Sequence, residues 1–505
     1  MNNAEDFLSQ KQLFQLGVLP TETPHPKTRE LSQLAQTDLR QALKVMRQID
    51  LEALRKILAD FASYKGLFES VAKTLDQGQR IYLVGCGATG RLSLSIEFLW
   101  RRKHPDSDQV RSLMAGGDVA LVHSLEGFED FPQFGARHLK QLGFTNRDLL
   151  IGTTEGGETP YVIGAVEMAA AESQTQPYFL YCNNRQVLLD KVERSRRVLQ
   201  NPKIHSLSLE TGPMALTGST RMQASTVLML VVGLALDFPG NWAAAQRELE
   251  QWLALLEQSP VEPLSVFTEF EAETYRQGDY TCYEAEDLAI TVFTDTTERA
   301  PTFNLAPFDN PEHPSGKHSL TYISIPSATD SLAAWRKLLA RDPRPLEWLE
   351  VHAKTSSEYL MTFDFGTGAV QFREKLLAGH DQYPFQILNS GKELTFKFRG
   401  LEQVFALPGI PLLDHLTAKM LLNMHSTLVM GRLGRFEGNL MTWVYPSNGK
   451  LVDRAARYTQ ILLNERGLTF DYDSIIRAQF AAKAQLSPKE SIVHKTIEIL
   501  ENKSE

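Results

Sequence analysis

The chain has little cysteine. Its three residues, Cys86, Cys182 and Cys282, are odd in number and far apart. That excludes a disulfide framework and a cysteine-based zinc site, and it suits a reducing cytoplasm. An excess of positive charge is missing too: 52 Lys and Arg stand against 61 Asp and Glu, a formal net charge of −9. This argues against a nucleic-acid partner, though not against a small basic pocket for an anionic metabolite. Long apolar runs are absent. The longest, TVLMLVVGLALDF at 226–238, is too short to span a bilayer, so no membrane partner is expected and the run reads as a buried helix. The first residues, MNNAEDFLSQ, carry no basic start and no apolar stretch, which predicts no signal peptide and a cytoplasmic location. No metal motif stands out, since the histidines of HPSGKH (313–318) read as loop surface. No cofactor is expected.

What is present is an ordinary globular composition, 43% hydrophobic and 22% charged, in 505 residues that predict two or three domains. After a Pro- and Thr-rich lead, the first 59 residues read as helical. From Arg80 on, strand candidates alternate with helical patterns: RIYLV (80–84), VRSLMA (110–115), DLLIGT (148–153), PYFLYC (177–182) and KIHSLSL (203–209). This predicts an α/β fold with a parallel sheet covered on both faces. DFPGNW (237–242) is a break, and an amphipathic helix follows it. A second alternating region is expected from DLAITVFT (287–294) through LTYISI (320–325) and YLMTFDF (359–365). It closes with LLDHLTAKMLLNMHSTLV, comparable to STRMQASTVLMLVVGLAL at the end of the first half, which reads as a weak internal repeat.

Gly85, Gly87 and Gly90 have G-x-G-x-x-G spacing between a strand and a helix. Such a turn bares backbone N–H groups at a helix N-terminus, where phosphates bind. A dinucleotide site also needs an acid at the end of the next strand, and Asp118 comes later than expected. Tight strand–helix packing is the purely structural alternative. IGTTEGGETP (151–160) and TGPMALTGSTRM (211–222) repeat the design with Thr, Ser and Gly. One such loop reads as helix capping. Three at the strand ends of one sheet point to a sugar phosphate.

Together VGCGATGRLSL, LMAGGDVALVHSLEGFED, IGTTEGGETPYVIGA and GPMALTGSTRMQAST resemble the sugar isomerase (SIS) domain. They are most similar to N-acetylmuramic acid 6-phosphate etherase and the glucokinase regulatory protein. The likeness covers about residues 30–240 and resumes at DTTERAPTF (295–303) and at 417–451. It implies two tandem SIS domains, each a flavodoxin-like three-layer α/β/α sandwich, with helical N- and C-terminal segments. The expected boundaries are 1–59, 60–240, 241–450 and 451–505.

The resemblance implies that a phosphate sits on Gly87, Ala88 and Thr89 and on the loop of Thr154, Gly156 and Glu158, with Lys419 reaching it from the second domain. Met229 holds the corresponding place in the first half. Glu126 and Glu298 match the two carboxylates of the etherase, one the base beside a sugar carbonyl, the other the acid for the leaving ether oxygen. That chemistry needs their pKa values pushed apart. The bland alternatives are a solvated charge for Glu126, a helix N-terminal carboxylate for Glu298 and a snorkelling side chain for Lys419. Two departures stand out. Ala88 replaces a hydroxyl, and Glu155 and Glu158 occupy a loop that should greet an anion. The function so implied is sugar-phosphate sensing, with a sugar kinase or another regulated protein as partner. An etherase-like lyase and a sugar-phosphate isomerase are the alternatives.

Overall fold

The computed structural model describes residues 3–502 except 15, 126, 311, 314, 315 and 488. Five strands form the sheet of the first half: β1 (Ile81–Gly85), β2 (Val110–Met114), β3 (Leu149–Thr153), β4 (Tyr178–Tyr181) and β5 (His205–Ser208), in the order 2-1-3-4-5. The central β1, β3 and β4 are apolar runs buried on both faces, as a parallel sheet requires, and β5 (HSLS) is a half-exposed edge. Every ladder is parallel, and Ile81 lies between Val110 and Leu149. This flavodoxin-like order reverses direction between β1 and β3, so a crevice opens outside the carboxyl ends of those strands. Among the helices of this half are α1 (Leu39–Ala59), α2 (Ala88–Lys103), α3 (Pro132–Gln141), α4 (Pro160–Glu172) and α5 (Gln223–Asp237).

The second half holds α6 (Leu264–Arg276), β6 (Tyr280–Ala285), α7 (Ala289–Phe303), β7 (Thr321–Ser324), β8 (Gln382–Asn389), β9 (Glu393–Phe398) and β10 (Leu401–Ala406). Its sheet runs 10-9-8-6-7, with β6 parallel to both β7 and β8, and with β9 and β10 added antiparallel. Two expectations are corrected here. Residues 287–294 are not a strand but lead into α7, and the strand is the more polar YTCYEA just before. Ile290, Thr291 and Val292 favour a strand locally, but α7 is buried from Ala289 to Thr297, and packing overrides the preference. Residues 359–365 are not a strand either: Ser357–Met361 is a short helix, and the rest lies outside both sheets.

Helix α8 (Pro411–Arg432) is buried along almost its whole length because it runs between the halves. Leu412, Leu413, Leu416 and Met420 enter the core of the first sheet, and Ala418, Leu421, Leu422 and Met424 that of the second. Helix α5 meets it closely, since a Cβ at Gly233 would lie 2.5 Å from Leu412 Cδ1. Helix α9 (Gly449–Glu465) follows and straddles the expected 450/451 boundary. The N-terminal segment packs against α9 through Glu22, which takes two hydrogen bonds from Arg454, at 2.7 and 3.0 Å.

Helices α3 and α4 touch backbone to backbone. A Cβ at Gly164 would lie 2.0 Å from the Pro132 carbonyl oxygen, and one at Gly135 2.0 Å from that of Tyr161. The contact holds together the first turns of both helices, which border the crevice. Gly164→Ala should therefore lower unfolding stability in urea by about 1–3 kcal/mol through overpacking. Gly368→Ala, in a short helix with nothing within 4 Å of the added carbon, should not lower it.

Candidate functional site

The turn after β1 needs its glycines for separate reasons. Gly87 has φ +54°, and a Cβ at Gly85 would lie 2.3 Å from the Thr89 backbone. The Thr89 hydroxyl closes the turn, accepting from Cys86 N at 3.0 Å, with the Cys86 carbonyl 2.9 Å away. Helix α2 therefore starts at Ala88, and Ala88 and the capping Gly87 stand on the wall of the crevice.

A cavity of about 160 Å³ lies there. Cys86, Gly87, Ala88 and Arg91 form one wall, Glu129, Glu155 and Thr159 a second, and Gly218 to Arg221 a third. The second half closes it with Glu298, Pro301 and Thr302 of α7, and α9 adds Lys450 and Arg454. Glu298 sits beside the glycine loop: a Cβ at Gly87 would be 3.8 Å from its Oε1. It is ion-paired with the buried Arg91, which also donates to the carbonyls of Ala120 and Leu121 and to the Ser124 hydroxyl. Glu298 is thus not a helix N-terminal carboxylate, since α7 begins nine residues before it. Ser219, buried on the cavity wall, has no hydrogen-bond partner for its hydroxyl among the described residues.

Of the residues expected from sequence, the structure brings Gly87, Ala88 and Glu298 to the cavity wall. Thr89 serves the turn. Thr154 shares a 2.9 Å hydrogen bond with Thr159 and accepts from Gly157 N at 3.3 Å. The Gly156 carbonyl accepts from Asn183 at 3.0 Å. Glu158 points to Arg194 and Lys450. Burial alone would raise its carboxyl, but those two cations hold it down at about 2. Lys419 is fully buried rather than snorkelling. Its Nζ donates to the Arg221 carbonyl (2.7 Å), Thr226 Oγ1 (2.8 Å), Asn423 Oδ1 (3.1 Å) and the Met222 carbonyl (3.3 Å), and it is not on the cavity wall. Burial pushes its ammonium down to about 7. Glu126 lies outside the described residues. Sequence reasoning missed Arg91, Arg221, Lys450 and Arg454. Arg91 directly follows the last glycine of the motif, whereas Arg454 lay in a polar tail without a signal. Among the described residues no cluster of three His, Cys, Asp or Glu fit to hold a metal occurs, and no helix is long and apolar enough to cross a membrane.

The model of the glucokinase regulatory protein N-terminal SIS domain matches residues 65–170. The N-acetylmuramic acid 6-phosphate etherase of Rippkaea orientalis is 33% identical over 228 residues, 44% of this chain and 68% of the etherase. An etherase of Bacillus licheniformis is 30% identical over 227 residues, 43% of this chain and 67% of its own length. Among solved structures, tagatose-6-phosphate ketose/aldose isomerase from Escherichia coli is similar over 84% of this chain and 99% of its own, with TM-score 0.43 and 12% identity, too distant to bear on activity. The first sheet with its glycine turn and the matched model make the chain a SIS-domain protein. Its identity to the etherases places it in the N-acetylmuramic acid 6-phosphate etherase family.

The geometry gives Lys419 a positioning task, tying α8 to the loop that ends at Arg221. Lys419→Met removes a charged donor from two buried carbonyls and should cost about 1.5–3 kcal/mol of stability, read as a lower urea midpoint. An unchanged midpoint would remove that task.

Proposed function

We propose that the chain binds a phosphorylated sugar in this cavity and acts as a cytoplasmic sensor of it. The observation that carries the reading is the pairing of walls. The glycine turn of the first half faces Glu298 of the second, so a ligand seated between them touches both halves and stabilises their packing. The α2 N-terminus, the unpartnered Ser219 hydroxyl and the cations Lys450 and Arg454 supply donors suited to a phosphate. The names of the relatives favour the same ligand class, and the matched regulatory-protein model favours a sugar kinase as the regulated partner.

An etherase-like lyase is the second reading. Identity to the etherases and the place of Glu298 beside the glycine loop support it. Against it, Glu298 is engaged by Arg91 rather than free to approach a ligand.

Thermal unfolding with N-acetylmuramic acid 6-phosphate, hexose 6-phosphates and NAD tests the shared part. A ligand at a hundred times its Kd should add about 2.7 kcal/mol. A Tm raised by NAD and by none of the sugar phosphates overturns the reading. Lactate release from N-acetylmuramic acid 6-phosphate then separates the two versions. A sensor binds and releases none. A lyase releases it, and Glu298→Gln should cut turnover by about 10²–10⁴ while binding survives.

A further inference from the structure

Three acids stand on the cavity wall: Glu129, Glu155 and Glu298. Glu298 is held by Arg91, and Glu129 lies 3.4 Å from Asn448 Nδ2 and 3.6 Å from Cys86 Sγ. Glu158, one turn away in the same loop, is held by Arg194 and Lys450. Among the described residues no other side chain hydrogen-bonds the Glu155 carboxyl, although the residue is 9% exposed. Its main chain is anchored, since Cys182 N donates to its carbonyl at 3.0 Å. A fixed backbone thus holds on the cavity wall a carboxyl that a backbone N–H assists but no side chain engages, beside the space where the phosphate of the preceding subsection belongs.

The charged and titratable groups facing it come from every side. They are Lys450 of α9, Glu298 of α7, Glu129 before α3, Cys86 after β1, Cys182 after β4, and Lys419 of α8. Burial pushes the carboxyl up to about 7, with Glu298 and Glu129 adding to the rise and Lys450 opposing it.

We propose that Glu155 is protonated when the cavity is loaded and donates that proton in a hydrogen bond to a phosphate oxygen of the ligand. The proposal rests on the sugar-phosphate reading of the site. Two like charges in contact in a buried site cannot both ionise, so one proton must be shared. A phosphate monoester has given up its second proton above about pH 6, and burial beside Glu298 and Glu129 makes the Glu155 carboxyl the more basic of the two, so near neutrality the shared proton is the one on Glu155. The glutamate that looked repulsive in the sequence becomes a donor, and binding takes up a proton. The device selects ligands that accept a hydrogen bond at that oxygen.

Isothermal titration of wild type and Glu155→Gln with N-acetylmuramic acid 6-phosphate and with glucose 6-phosphate, from pH 7 to 9, tests it. The amide keeps the size and a donor but does not titrate. Wild-type affinity should fall up to about tenfold per pH unit, while the variant changes less than about threefold. Titrations at pH 8 in buffers of different ionisation enthalpy should report uptake of about one proton by wild type and none by the variant. Parallel pH slopes, or no proton uptake by wild type, overturn the proposal and leave sugar-phosphate binding standing. Failure of both proteins to bind either sugar phosphate at any pH removes the reading beneath it. Without ligand, the sign for stability is the same. A carboxyl raised on folding from 4.5 to about 7 keeps a proton that the unfolded chain gives up, so stability falls as pH climbs through that window. Glu155→Gln should flatten that slope.

Discussion

The site depends on one buried ion pair between the halves. Arg221 ends the third loop of the first half, and Asp295 lies on α7 of the second. Their side chains are 2% and 0% exposed. Asp295 also accepts from Arg299, Asn423 and Ser426, and Asn423 in turn accepts from Lys419. Such a pair is costly to desolvate and more costly to break, about 3–5 kcal/mol when one partner is lost. What it supplies here is orientation. Glu298 is three residues after Asp295, on the same side of the helix. With Asp295 clamped to Arg221, α7 cannot roll, and Glu298 is held against the glycine turn.

The same economy runs through the rest of the wall. Arg91 answers Glu298, Arg221 answers Asp295, Lys450 answers Glu158, and Arg454 answers Glu22. Each cation is fixed in place before any ligand arrives, which lowers the ordering cost of binding. Each is also partly neutralised, so the wall offers placed donors more than net positive charge. Two acids of the wall have no such cation among the described residues: Glu129, which accepts from Asn448 and Cys86, and Glu155, which no side chain hydrogen-bonds.

Much of the first half was legible because its central strands are apolar runs buried on both faces, and its glycine turn is local in sequence. The second half was harder for physical reasons. Strand β6 carries Thr, Cys, Tyr and Glu, while the β-branched run after it is a helix stabilised by contacts on all sides. The β9–β10 hairpin turns on Arg399 and Gly400, both with positive φ, where the familiar signal is Asn-Gly. Glu298 was legible only through its motif. Arg454 was not legible at all, because it reaches the cavity wall next to a glutamate 432 positions earlier, and no local pattern encodes that meeting.

The two halves share a frame but not a site. In the first, the strand leads through glycines into α2. In the second, β6 leads into α7 through Glu286, Asp287 and Leu288. Glu286 already accepts a hydrogen bond from Ser327 N at 2.7 Å, and Asp287 is paired with Arg102 at 2.9 Å. Acids at a helix N-terminus take the place an anion would occupy. Lys419 of α8 reaches across to the first half, whereas Met229, its counterpart on α5, lies in the core. A symmetric pair of identical chains would have to keep every such residue in both copies, because one surface serves both roles. Joined in one chain, one half is free to keep the glycine and hydroxyl loops and the other to become the wall that closes over them.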